Sequence, residues 1–124
     1  VNENHIWLGL ADYWYGKILI EKNKYLEAET YLRKSLKINK NTYPEDHPNI
    51  ISTSAELGVV SFYLNRFTEA ENLLIYGYEG VKKIKGYKDH NTIRFLEYLI
   101  KLYEKTQNVT KLTYYNQLLL QAKK

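Results

Sequence analysis

His5, His47 and His90 are the side chains of this chain best suited to metal or acid–base chemistry, and two of them follow a carboxylate, in Asp46-His47 and Asp89-His90. A zinc site would need its ligands within about 2 Å of one ion. A general acid or base would need a reacting atom brought within hydrogen-bond reach. The surrounding spacing argues against both. His5, Gly16, Asn23, Glu27, Ala28 and Glu29 recur 42 residues later as His47, Gly58, Asn65, Glu69, Ala70 and Glu71, with Tyr25 answered by Phe67 and Leu32 by Leu74. Such a period means stacked helical units. Equivalent positions in a stack lie on the order of 10 Å apart or more, so the three histidines cannot converge on one ion and are read as markers just ahead of each unit's first helix. The sequence also lacks a glycine-rich phosphate loop, an HExxH motif and a nucleophile elbow. No catalytic, metal or cofactor site is expected, and the question becomes which surface meets which partner.

The elements that would position such a surface follow from helical spacing. Breaks at 39–47 and 85–90 divide the chain. The spacing predicts a first helix over about Ile6 to Lys22 and its partner over about Tyr25 to Ile38. In the second unit Ile51, Ser54, Leu57, Gly58, Ser61 and Leu64 form one stripe, and Ala70, Leu73, Leu74, Gly77, Val81 and Ile84 form another. Ile93, Leu96, Leu99, Ile100 and Tyr103 mark a fifth helix, and Val109, Leu112, Tyr115, Leu119 and Ala122 a sixth. Pro48 suits a first helical position and Thr68 the start of the fourth helix. Glycine inside a helix costs about 1 kcal/mol against alanine, so Gly16 and Gly58 are expected to pack closely on Ala28 and Ala70. The larger pairs Leu19 with Leu32 and Leu57 with Leu74 should interlock around them.

Composition narrows the class. At 124 residues, 44% hydrophobic and 26% charged, the chain fits one globular domain rather than a disordered segment. No apolar run approaches the roughly 18 residues that span a bilayer, so no membrane association is expected. The net charge of +4 is spread along the chain; its densest cluster, Lys82, Lys83, Lys85 and Lys88, suits a solvated helix end. Nucleic acid is not an expected partner, since no recognition motif accompanies the charge. The absence of cysteine and of a signal-peptide layout at Val1 to His5 points to a reducing, cytoplasmic setting. A start at Val, in mid-repeat, reads as part of a longer protein.

The segments Gly16 to Leu36 (GKILIEKNKYLEAETYLRKSL) and Gly58 to Tyr78 (GVVSFYLNRFTEAENLLIYGY) resemble tetratricopeptide repeats. Each has a small residue in the first helix, an aromatic before the second and an Ala-Glu pair inside it. The 42-residue period and the segment Pro44-Glu45-Asp46-His47-Pro48 are similar to the kinesin light chain variety. The stretch from Glu71 to Gln117, with LLIYGYEGVKK and then DHNTIRFLEYLIKLYEKTQN, is similar to the tails closing repeat arrays in certain bacterial serine/threonine protein kinases. The resemblance implies an all-α, right-handed solenoid of three antiparallel helix pairs in a single domain over 1–124, with repeats at about 6–40, 48–84 and 91–122. The third departs from the pattern. Ile100 and Leu112 replace its small residues, which should hold those helices apart, as a terminal cap allows.

The resemblance further implies a non-catalytic module that binds a peptide or protein on a concave surface. Carried over, its ligand-facing positions are Leu10, Tyr13, Lys17, Ile20 and Glu21, then Ser52, Ala55, Val59, Phe62 and Tyr63, then Arg94, Glu97, Lys101, Glu104 and Lys105. Aromatic and aliphatic groups flanked by charge suit an extended peptide with an apolar anchor and an acidic portion. Tyr13, Phe62 and Tyr63 are equally placed to pack on neighbouring helices, and Lys101 and Lys105 to be solvated charge. Trp7 and Trp14 raise the alternative of a structural spacer or oligomerisation element. They would promote a weak homodimer through the first helix if its outer face is uncovered.

Overall fold

A computed structural model describes residues 3–124. Their backbone forms six helices, α1 (Glu3–Glu21), α2 (Tyr25–Thr42), α3 (Pro48–Tyr63), α4 (Phe67–Lys85), α5 (His90–Thr106) and α6 (Val109–Ala122), with no strand among the described residues. They are joined as three hairpins stacked in chain order, an all-α solenoid.

The period is written into the backbone. The turn within each pair places one residue in the left-handed region, Asn23 at φ 60°, Asn65 at 62° and Gln107 at 58°. Asparagine tolerates that conformation better than most residues. In each turn the next N–H reaches back to close the preceding helix, Lys24 to the Leu19 carbonyl at 2.9 Å, Arg66 to Ser61 at 2.9 Å and Asn108 to Tyr103 at 3.0 Å. Each member of the series lies 42 residues from the next.

Between pairs the equivalence is less literal than the histidines suggest. His47 is the N-cap of α3, and its Nδ1 accepts the Asn49 N–H at 3.1 Å. At α5 the cap is Asp89, whose Oδ1 accepts the Asn91 N–H at 2.9 Å, and His90 is the first helical residue. His5 lies within α1. The expectation that all three stand just ahead of a helix is therefore corrected: the structural counterpart of His47 is Asp89, because a cap needs an acceptor and either side chain supplies one. Thr68 likewise does not start α4. The Ala70 N–H already bonds the Arg66 carbonyl at 2.9 Å, closing the helix from Phe67 without a side-chain cap.

Close helix approach rests on small residues, at more places than the spacing shows. A Cβ on Gly16 would fall 2.7 Å from Leu32 Cγ, and one on Gly58 would fall 3.0 Å from Leu73 Cβ and from Leu74 Cγ. Leucine thus sits on the glycine itself, not one turn away from it. Ala28 and Ala70 are fully buried. The tightest crossing is Gly77 on Ala55, where an added Cβ would come within 2.4 Å of Ala55 Cβ and 2.8 Å of its Cα. A further pair of contacts exchanges its partners: Gly9 faces Ile38 in the first hairpin, and Ile51 faces Gly80 at the same positions in the second. Summed volume is kept while the identities swap, as close-packed interiors require.

Candidate functional site: the surface lined by α1, α3 and α5

The first helices of the three pairs neighbour one another, α3 between α1 and α5. At their centre Glu56, the sole charged residue between Ile50 and Tyr63, is 2% exposed. Its Oε2 lies 2.8 Å from Arg94 Nη1 of α5 and 3.9 Å from Lys17 Nζ of α1, while Oε1 is buried without a protein partner. One carboxylate thereby ties the three helices. Removing its hydrogen-bonded cation would strand a buried charge, which is costly.

Aromatic rings carry the cations. Lys17 Nζ stands 5.1 Å from the Trp14 ring centroid and 5.6 Å from that of Tyr13. The Arg94 guanidinium lies 5.3 Å from Phe95 and 5.6 Å from Tyr98, and Lys101 Nζ lies 4.8 Å from Tyr98. These are cation–π distances. The Tyr98 and Tyr63 hydroxyls are hydrogen-bonded at 3.0 Å, and Tyr25 stacks on Tyr63 at 4.3 Å. Burial, reinforced by the Glu56 charge, pushes the Tyr13 phenol up to about 12. It therefore stays neutral and able to donate a hydrogen bond at neutral pH.

Tyr13 also borders a cleft of about 200 Å³ lined by Ile6, Gly9, Leu10, Trp14, Asn39, Tyr43, Asn49, Ser52 and Thr53. Its polar wall is held in place from beneath. Ser35 Oγ donates to the Gly9 carbonyl at 2.7 Å, and Asn39 Nδ2 donates to Thr53 Oγ1 at 3.1 Å. An apolar floor with hydroxyl and amide groups at one side can seat a hydrophobic side chain and hydrogen-bond its backbone.

The carried-over positions divide accordingly. Lys17 and Arg94 meet at Glu56 with Tyr13 beside Lys17, Tyr63 and Lys101 meet at Tyr98, and Leu10 and Ser52 line the cleft. Val59 is fully buried and is corrected to core, as is Ala55, which the Gly77 crossing consumes; Ile20 is buried too. Phe62, 7% exposed, serves as the floor of a shallow depression walled by Lys101, Glu104 and Lys105. Glu97 turns to α6 and pairs with Lys123 at 3.5 Å, away from the cations. Glu56 was not among the expected residues. Its signal is a lone acid in an otherwise uncharged helix, 42 residues from both Trp14 and Tyr98.

Among the described residues no group of three His, Cys, Asp or Glu side chains could hold a metal ion, and no described helix is long and apolar enough to cross a membrane. Compared with protein-family models, residues 7–76 match the model described as tetratricopeptide repeat. No curated protein matches the chain.

Proposed function

From the premise that this chain belongs to the tetratricopeptide repeat family, we propose that the surface around Glu56 binds an extended peptide, seating an apolar side chain in the Tyr13–Trp14 cleft and an acidic portion along Lys17, Arg94 and Lys101. Members of the family are generally non-catalytic protein–protein interaction modules. The observation that carries the reading is the arrangement of three cations on aromatic faces, with Glu56 the acid between two of them and Lys101 left exposed. Orienting Arg94 in advance reduces the ordering cost of binding. Residues 1–124 act in this reading as one domain of three repeats.

The 42-residue period and the Pro44 to Pro48 linker support a kinesin light chain-like variety. Leu73-Leu74, Tyr78-Glu79-Gly80 and Leu102-Tyr103-Glu104 support a place in the recruitment tail of a bacterial signalling kinase, whose chemistry would reside in another domain.

Selection from a displayed library of random twelve-residue peptides tests the binding reading. Enriched peptides should combine an aromatic or large aliphatic residue with two or more acids, and Lys101→Glu should weaken their capture about tenfold with helical circular dichroism unchanged. Lys101 is the informative site because no buried charge depends on it, whereas Arg94→Glu would also strand Glu56. Enrichment without acids, or capture indifferent to Lys101→Glu, would remove the proposed groove.

A further inference from the structure

A second surface is set apart by its apolarity. Leu8, Tyr15 and Ile18 are all exposed on α1. The repeat supplies an internal standard for this face, because α3 occupies the same place in the next pair. Leu8 is 53% exposed where its counterpart Ile50 is 5%, and Ile18 is 45% exposed where Val60 is 0%. What differs is the neighbour: α2 packs along α3, sending the Asn39 amide to Thr53 and to the Asn49 carbonyl and stacking Tyr25 on Tyr63.

Charge marks the same junction. Where α2 meets the following pair, Glu29 bonds Arg66 and Arg33 bonds Glu69 at 3.0 Å. The counterparts of Arg66 and Glu69 one repeat earlier are Lys24 and Glu27, both exposed. A helix seated on α1 as α2 is on α3 would thus meet an apolar face ending in a cation and an acid. It would answer them with an acid and, four residues later, a base.

A second copy of these 124 residues does not supply such a helix. The covering faces of α2 and α4 are spent on α3 and α5. On α6, the positions equivalent to Glu29, Leu32, Arg33 and Leu36 hold Thr113, Asn116, Gln117 and Leu120, a mostly polar, exposed set. We propose that the α1 face is an array junction, built to seat the second helix of a further helix pair of this repeat design ahead of α1, in the α2-on-α3 register. This stands independently of the peptide groove.

The chain has no cysteine, so a thiol introduced by Leu8→Cys reports on this face alone. The probe is a tandem chain in which residues 1–46 precede residues 5–124, with Leu8→Cys in the following copy only. The expected result is a several-fold fall in the rate of thiol alkylation relative to the 124-residue chain carrying Leu8→Cys. Glu29→Lys in the leading copy, which repels Lys24, should partly reverse the fall. Unchanged alkylation in a folded tandem chain would overturn the proposal. So would slow alkylation of the 124-residue chain together with its sedimentation as a dimer.

Discussion

The second and third helix pairs solve the same crossing in opposite ways. In α3–α4, Gly58 and Ala70 admit Leu73 and Leu74, and Gly77 lies directly on Ala55. In α5–α6 the corresponding small residues are Ile100 and Leu112, and the helices are in less intimate contact. Their association relies instead on an aromatic stack, and polar groups tie both helices to Glu71 of α4. Tyr103 stacks on Tyr115 at 5.4 Å, and the Tyr103 hydroxyl and Lys111 ammonium bond Glu71 at 2.7 and 2.8 Å. A middle pair has neighbours on both sides and gains from close backbone approach; a last pair has one neighbour and can be held by larger groups at its inner edge.

The largest expected effect comes from forcing the tight crossing open. Gly77→Val places methyl groups where the Ala55 backbone already stands, and should cost about 3 kcal/mol or more, read as a lowered denaturant midpoint. A truncation at the loose crossing should be far milder. Leu112→Ala removes a half-buried side chain and should cost about 1 kcal/mol by the same measurement. Equal losses at the two sites would abolish the distinction between the pairs.

The smallest effect concerns the ionic tie between α4 and the last pair, and it is read by pH. Hydrogen bonds from Lys111 and Tyr103 hold the Glu71 carboxyl below its ordinary value of 4.5. A lowered folded-state value stabilises the protein above the unfolded value and ceases to do so as pH falls through the folded one. Thermal stability should therefore decline as pH drops below about 4.5. Lys111→Ala should flatten that decline while costing less than about 1 kcal/mol at neutral pH, since the pair is partly exposed.

Much of this was legible in the residues. Gly16, Gly58, Ala28 and Ala70 announced a close-packed hairpin. The Gly9–Ile38 and Ile51–Gly80 exchange was not, because a period search looks for identity and this contact keeps only its summed volume. Val59 and Ala55 were misassigned to the ligand surface for a related reason. Helix spacing places a residue on a face, but α3 is covered from several sides, so its inward face is mostly interior. Glu56 escaped notice because an acid reads as solvated until its neighbours from other helices are known. Only the fold brings Lys17 and Arg94 to it.

The central claim, a cationic aromatic groove that takes an acidic peptide with an apolar anchor, is most directly tested by fluorescence anisotropy across a salt series. A labelled peptide carrying one tryptophan and three glutamates should bind the wild-type chain with affinity that falls steadily as ionic strength rises, and Lys101→Glu should reduce both affinity and salt slope. Binding of equal strength to a neutral peptide of the same length, unaffected by salt or by Lys101→Glu, would contradict it.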